Sequence, residues 1–276
     1  MSTTINTNVA SLNAQRNLAS SGASLATSMQ RLSSGLRVNT AKDDAAGLAV
    51  AERMSAQIKG MNVAIRNAQD AISLSQTAEG ALGKVSDTLQ RMRELAVQSA
   101  NATNSDSDRT NLNAEFTQLA SEVTRVLTGT NFNGNSLLNT AATLSFQVGA
   151  NNVATDQVSL STTNLTSGTG VTAVTGGSIT SVATAQSAIG NIDTAIDEIT
   201  TARATFGAIQ NRFENVIANL QVAVENQSAS RGRIVDADFA QETANLSRTQ
   251  VLQQAGIAMV AQANSSPQGV LQLLRG

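Results

Sequence analysis

Large apolar residues recur at helical spacing close to both ends of the chain, whereas the middle is a weakly patterned stretch rich in Ser, Thr and Gly. Most domains do the opposite, since their termini fray and their middles are buried. Leu25, Met29, Leu32 and Leu36 step by 4, 3 and 4 residues, which predicts one apolar helix face. Such a face requires a partner, so the pattern predicts a subunit of an assembly. The corresponding residues near the other end are Leu246, Leu252, Val270, Leu271, Leu273 and Leu274.

Helical periodicity predicts two helices in the first hundred residues. The first is predicted over residues 5–32, and Gly35 loosens the pattern after it. Thr40, Asp43 and Asp44 are candidate N-caps of a second helix that extends to about residue 100, along which apolar residues follow a heptad spacing. A helix much longer than about 25 residues indicates a coiled coil or a repeat instead of an ordinary globular helix.

A turn and a returning helix follow. The run NATNSDSD at 101–108 is rich in capping residues and predicts a turn. Apolar positions from Leu112 to Val126 then keep the 4-3 spacing, and Gly129 is a candidate C-cap. Because the connection is short, we expect this returning helix to run antiparallel beside the long helix that precedes the turn.

The helical period is lost from about residue 131 to residue 184. Apolar residues alternate with polar ones at Leu144, Phe146 and Val148, and again at Val158 and Leu160. This pattern predicts a β-hairpin at the start of a region spanning about 140–184. The Gly-rich sequence that follows the hairpin is expected to be a loop.

The second half returns to helices. A heptad pattern extends from Ile189 to Val224, with the polar residues Arg203 and Gln210 at two seam positions. A last helix is predicted from about residue 236 to 263, and Pro267 is expected to interrupt it. The predicted fold is mainly α, a long antiparallel helical bundle or coiled coil formed by the N- and C-terminal segments, with a small β-hairpin region in the middle. The predicted domains are 1–43 with 234–276, and 44–233.

Composition excludes several kinds of chemistry. The chain has no Cys and no His, which excludes disulfides, thiol nucleophiles and histidine-ligated metals. The net charge is −2 and no basic patch is present, so nucleic acid is not an expected partner. No cofactor is expected, and the Lys42–Asp44 run is read as helix capping in preference to a metal site. No segment reaches the roughly 20 apolar residues of a membrane span, and residues 1–10 lack the pattern of a secretory signal.

Five segments of the sequence resemble bacterial flagellin in collinear order. They are LSSGLRVNTAKDDAAGLAVAERM, LQRMRELAVQSAN, FGAIQNRFENVIANL, SRGRIVDADFAQETANLSRTQVLQQAGIAMVAQAN and PQGVLQLLRG. The resemblance covers roughly the first 140 and the last 90 residues, and the large outer insertion of many flagellins is missing. It implies a filament subunit whose paired termini line the filament interior and whose chain leaves the cell through the flagellar type III export channel.

The same resemblance implies partners. These are other copies of the chain, a flagellar export chaperone, and the filament cap and hook–filament junction proteins. Arg91, Leu95 and Glu115 match positions that Toll-like receptor 5 contacts in animals, although they also suit ordinary surface or inter-subunit roles. Leu271, Leu273, Leu274 and Arg275 resemble the tail read by cytosolic flagellin sensors, and equally the last turn of a core helix.

Ordering the terminal segments is expected to cost more backbone entropy than their apolar residues return. We therefore expect both ends to fold on assembly. The alternative function is a hook–filament junction protein, which resembles flagellin at its ends. A coiled-coil signalling rod and an enzyme fit less well, since the zinc-protease insertion of some flagellins needs an HExxH motif that this chain lacks.

Overall fold

The computed structural model describes residues 7–273, and the surroundings of side chains up to residue 266. This part of the chain is mainly α, as predicted. Its helices are α1 (Val9–Ser34), α2 (Ala45–Ser99), α3 (Asp106–Gly129), α4 (Thr169–Thr175), α5 (Val182–Val235) and α6 (Phe239–Leu273). Its strands form two antiparallel pairs, β1 (Asn131–Phe132) with β2 (Asn135–Ser136), and β3 (Ala142–Gln147) with β4 (Gln157–Thr162).

The chain divides into two compact units. The first consists of residues 1–56 with 226–276, and the second of residues 57–225. The helices α2 and α5 each contribute residues to both units. The division at 43/44 and 233/234 remains a prediction about functional domains. No helix within residues 7–273 is both long enough and apolar enough to cross a membrane.

Capping residues set the first helix boundaries. Gly35 ends α1 in the left-handed region with φ 69°, and its N–H donates to Arg31 O at 2.8 Å. Asp44 Oδ1 accepts from Gly47 N at 2.8 Å, which confirms Asp44 as a cap at the start of α2. Asp43 instead accepts from Thr40 N at 2.9 Å, and this bond holds the pKa of Asp43 below its ordinary value. The two carboxylates therefore organise the turn between α1 and α2.

The predicted turn at 101–108 ends in a capping box. Ser105 caps α3, and its side chain and that of Asp108 each accept a hydrogen bond from the other's backbone. The expected role of Gly129 is wrong, because Gly129 is the last residue of α3 and the C-cap is Thr130, with φ −74° and ψ 110°. The chain passes from Thr130 directly into the extended residues of β1, so no left-handed residue is needed.

The core of the second unit lies where α2, α3, α5 and the β3–β4 hairpin pack together. Leu144 pairs with Leu160 across the hairpin, in the predicted region. The ring of Phe146 meets that of Phe213 on α5 edge to face, with centroids 5.5 Å apart. The largest fully buried side chains are Phe116, Phe213, Leu82, Leu89, Met92, Leu95, Leu127, Leu137, Leu138, Leu160, Ile179 and Ile192.

Two predictions about irregular structure are wrong. The segment expected to be a loop after the hairpin contains the helix α4. Glu198 of α5 supplies its cap, since Glu198 Oε1 accepts from Gly170 N at 3.0 Å, so the local sequence carries no sign of it. The helix α6 also continues through Pro267 to Leu273. A proline inside a helix removes one backbone donor and crowds the carbonyl of residue i−4, so the helix continues through Pro267 at a local cost in stability.

Candidate assembly surface

The helices α1 and α6 lie antiparallel in the first unit. Asn8 Nδ2, at the start of α1, donates to Ala263 O near the far end of α6 at 2.7 Å. At the other end of the pair, Arg31 Nη1 lies 3.8 Å from Glu242 Oε2. The terminal segments therefore pair with each other within one chain.

The seam between the two helices has heptad spacing but few large apolar side chains. Its most buried members are polar: Ser11 and Ser28 on α1, and Glu242 and Thr249 on α6, each 9% exposed or less. Polar groups at a coiled-coil seam specify register at a cost in stability. The buried and partly buried series are Ser11, Ala14, Leu18, Ser21, Leu25, Ser28 and Leu32 on α1, and Glu242, Leu246, Thr249, Gln253, Gly256, Val260 and Ala263 on α6.

The charged groups in the seam do not have a full set of close ionic and hydrogen-bond partners among the described residues. Glu242 is buried, and its ion pair with Arg31 is long at 3.8 Å. Arg31 Nε is buried without a hydrogen-bond partner among the described residues. Arg31 and Glu242 face a groove between α1 and α6 that is otherwise lined by Ser24, Thr27, Ser28, Asn245, Arg248 and Thr249. Polar groups of this kind contribute little net stability, since burial removes their hydration.

Many large apolar side chains of α1 and α6 lie outside the seam and are exposed. Eight of the twelve large hydrophobic residues that are strongly exposed in the described part of the chain lie on α1 and α6, and each of the eight is more than half exposed. A concentration of exposed large apolar side chains on one pair of helices indicates an interaction surface. The eight are Val9, Leu12, Met29, Phe239, Val251, Leu252, Ile257 and Met259.

The residues expected to mediate assembly fall into three groups. Leu25, Leu32, Leu36 and Leu246 are partly buried, whereas Met29 and Leu252 are exposed. The expected stripe through Leu25, Met29 and Leu32 is therefore split, since Ser28 occupies the seam and Met29 lies beside it. Val270, Leu271 and Leu273 belong to the last turns of α6, where only the backbone is described, and Leu274 and Arg275 lie outside the described residues.

Comparison with known proteins fixes the family. Residues 5–143 match the bacterial flagellin N-terminal helical region, and residues 189–274 match the bacterial flagellin C-terminal helical region. The chain belongs to the flagellin family. It is 48% identical to a flagellin of Halalkalibacterium halodurans, covering 98% of this chain and 99% of that protein. It is 42% identical to the flagellar filament 33 kDa core protein of Treponema phagedenis, with the same coverage.

Longer relatives show that some flagellins have positions without a counterpart in this chain. Flagellin D of Vibrio anguillarum is 35% identical in an alignment of 376 positions that covers 99% of this chain and all of that protein. At least 100 of those positions have no counterpart in a chain of 276 residues. The two family regions leave residues 144–188 between them. This flagellin is therefore a short member of its family.

Solved structures agree with the fold. The crystal structure of Bacillus cereus flagellin is 38% identical, with a TM-score of 0.50 over 56% of this flagellin and 88% of that chain. The structure of a putative flagellar hook-associated protein from Vibrio parahaemolyticus has a TM-score of 0.58 over 70% of this flagellin and all of that chain. Its identity is only 13%, so it shares the fold alone.

The three positions expected to contact a receptor are placed differently from one another. Arg91 Nη2 on α2 lies 3.0 Å from Glu115 Oε1 on α3, and Arg91 Nη1 lies 2.8 Å from Glu94 Oε2. Hydrogen bonds to Glu94 and to Glu115 raise the pKa of Arg91 above its ordinary value. Leu95 is 1% exposed and belongs to the core. The flagellin thus brings Arg91 and Glu115 together on its surface and buries Leu95 in its core.

Proposed function

We propose that this flagellin is the structural subunit of a bacterial flagellar filament, and that it docks on other copies through the exposed apolar faces of α1 and α6. The observation that carries the proposal is the concentration of exposed large hydrophobic residues on these two helices. A filament requires a heterologous contact, in which one patch meets a different patch on the next copy. The relative from Treponema phagedenis, named a filament core protein, supports the same role.

The composition of the seam supports folding on assembly. Ser28 and Thr249 fill positions where a stable coiled coil has large apolar residues. The pair of α1 and α6 therefore gains little from its own contacts, and neighbouring copies supply the missing apolar burial. Helices that become stable only when neighbours arrive prevent premature polymerisation of the free subunit.

The test is polymerisation of the purified full-length chain, seeded with short filaments and followed by light scattering and electron microscopy. Val251 on α6 is 64% exposed, and Val222 on α5 is 58% exposed, which makes them a matched pair. We expect Val251→Asn to raise the critical concentration for polymerisation about tenfold, the effect of losing one buried valine. Val222→Asn is expected to change it less than about threefold.

Three outcomes would count against the proposal. Equal effects of the two valine substitutions would remove the special role of α6. Normal filaments from a chain that lacks the last 20 residues would show that the C-terminal helix is dispensable. Discrete short oligomers of the unaltered chain would favour the alternative, a hook–filament junction protein.

Membership of the family supports an extracellular location and the assembly partners that the resemblance implies. The protein is exported through the flagellar type III channel with the help of an export chaperone, and it is added between the junction proteins and the filament cap. In cells with a working flagellar export apparatus, we expect the protein in sheared filaments. In cells without that apparatus it should stay inside, and its continued release would contradict this route.

The paired side chains of Arg91 and Glu115 support recognition by host Toll-like receptor 5. Both are exposed and held in one geometry by their ion pair, which presents a fixed pattern of charge. We expect Arg91→Ala or Glu115→Ala to reduce receptor signalling about tenfold, as loss of a charged hydrogen bond does. The pair Arg125 and Glu122 on α3 is a matched control, whose substitution should leave signalling unchanged.

Recognition by cytosolic flagellin sensors is assigned to the terminal tail. Leu271, Leu273, Leu274 and Arg275 form this tail, and Leu274 and Arg275 lie outside the described residues. Substitution of the three leucines by alanine should abolish sensor activation in cells that receive the purified protein. Unchanged activation would contradict this assignment.

A further inference from the structure

Methionine is the residue of this chain that is most open to oxidation. The sequence has six methionines and no Cys, Trp, Tyr or His, so no thiol or electron-rich ring competes for an oxidant. In the described part of the chain, Met61 and Met92 are 8% and 0% exposed, and Met54 is partly buried. Met29 and Met259 are 51% and 62% exposed.

The two exposed methionines lie at opposite ends of the pair of α1 and α6. Met29 is two residues before Arg31, at the end of the pair where Glu242 lies. Met259 is four residues before Ala263, whose carbonyl oxygen accepts from Asn8 at the other end. Each end of the proposed docking face therefore carries one accessible thioether.

Met259 also shares a stripe of α6 with another exposed apolar residue. Leu252 precedes it by seven residues, or one heptad, so the two side chains lie along the same edge of the helix. Methionine suits such a surface, because its flexible and polarisable chain adapts to irregular partners. Oxidation of Met259 would place a polar group in this stripe.

We propose that Met29 and Met259 are sites of reversible oxidation by peroxides, and that their sulfoxides prevent the subunit from joining a filament. The proposal rests on the filament function proposed above. In the reaction the Sδ atom attacks one peroxide oxygen, the O–O bond breaks, and an S=O group forms. The sulfur loses two electrons, and hydrogen peroxide is reduced to water.

The physical reason is the change in polarity. A sulfoxide is polar and hydrated, so burying it against a neighbouring copy removes water from an oxygen that has no assured partner. In the assembled filament the same thioethers are covered, so they are protected from the oxidant. Oxidation therefore acts on the free subunit, before it is added.

The experiment treats the purified full-length subunit with hydrogen peroxide and maps the sites by mass spectrometry. We expect sulfoxide at Met29 and Met259 before Met61 and Met92, and a rise of about tenfold or more in the critical concentration for polymerisation. Methionine sulfoxide reductase with a thiol reductant should restore polymerisation. The same dose applied to finished filaments should leave Met29 and Met259 largely unmodified.

The matched variants are Met29→Leu with Met259→Leu, which keep the apolar surface but cannot form a sulfoxide. This double variant should polymerise normally after peroxide treatment. The inference is overturned if the oxidised unaltered chain polymerises as well as the untreated chain, or if the double variant loses polymerisation as the unaltered chain does. Failure of the untreated chain to polymerise is a different result, because it overturns the filament function itself.

Discussion

Gly170 of α4 lies directly against the backbone of Ala195 of α5: a Cβ atom placed on Gly170 would be 2.4 Å from Ala195 N. Glu198, one turn further along α5, fixes the same contact by accepting from Gly170 N at 3.0 Å. The short helix α4 therefore packs backbone to backbone on α5. Only a glycine permits this approach, since neither backbone can move aside locally.

Substitution of this glycine is predicted to destabilise the second unit. Gly170→Ala should lower the free energy of unfolding by about 2–4 kcal/mol, because the methyl group forces α4 away from α5. Gly190→Ala in α5 is the matched control, since a Cβ added there has no atom within 4 Å apart from the adjacent backbone of its own helix. It should raise the free energy of unfolding by about 1 kcal/mol. Urea unfolding followed by circular dichroism measures both, and equal changes would contradict the contact.

A second prediction concerns the buried arginine that closes the turn between α2 and α3. Arg109 is 6% exposed, and it donates to Ser99 O and Asn101 O, each at 3.0 Å. Arg109→Leu leaves these acceptors without their donor and should cost about 2–4 kcal/mol of unfolding free energy. Arg125→Leu removes an exposed arginine from the same helix and should cost less than about 1 kcal/mol. Similar losses in the two variants would contradict a special contribution from the buried hydrogen bonds of Arg109.

A third prediction is a pH dependence at the capping box. The hydroxyl and backbone amide of Ser105 hold the pKa of Asp108 below its ordinary value of 3.8. A folded-state pKa below the unfolded value means that Asp108 stabilises the fold above about pH 3.8, and that this contribution is lost as pH falls through the lowered pKa. The advantage of the unaltered chain over Asp108→Ala in urea unfolding should therefore be full near about pH 6 and vanish near about pH 2.

The control for this titration is Asp108→Asn. Its amide oxygen can still accept from Ser105 but does not titrate, so its advantage over Asp108→Ala should stay constant across the same pH range. A pH-dependent advantage in Asp108→Asn would assign the effect to another group.

A fourth prediction tests the weakness of the terminal seam. Thr249 is 9% exposed, and its hydroxyl donates to Asn245 O at 2.9 Å. Thr249→Val replaces a buried hydroxyl with a methyl group at the seam, and should slow amide exchange in α6 of the free subunit about threefold to tenfold. Thr205→Val removes the same kind of bond, to Thr201 O, from an exposed position on α5 and should leave α6 exchange unchanged.

The sequence predicted the long helices, the capped turns and the hairpin because these features depend on neighbours along the chain. Ser105 and Asp108 lie three residues apart and form their box without outside help. The alternation that pairs Leu144 with Leu160 is likewise local. The family signatures are local too, and they carried the assignment to flagellins.

The tertiary structure decided which side of each helix faces inward. Ser28 and Met29 are neighbours, and heptad spacing alone fits either of them; the position of α6 buries Ser28 and leaves Met29 exposed. Leu95 shares a helical spacing with Arg91, yet only the packing of α2 in the core buries Leu95 and leaves Arg91 at the surface. Burial depends on partners distant in sequence, which a local pattern does not contain. The apolar ends of the chain were thus evident from the sequence, whereas the pairing of α1 with α6 decides which apolar residues enter the seam, such as Leu25, and which stay exposed, such as Met29.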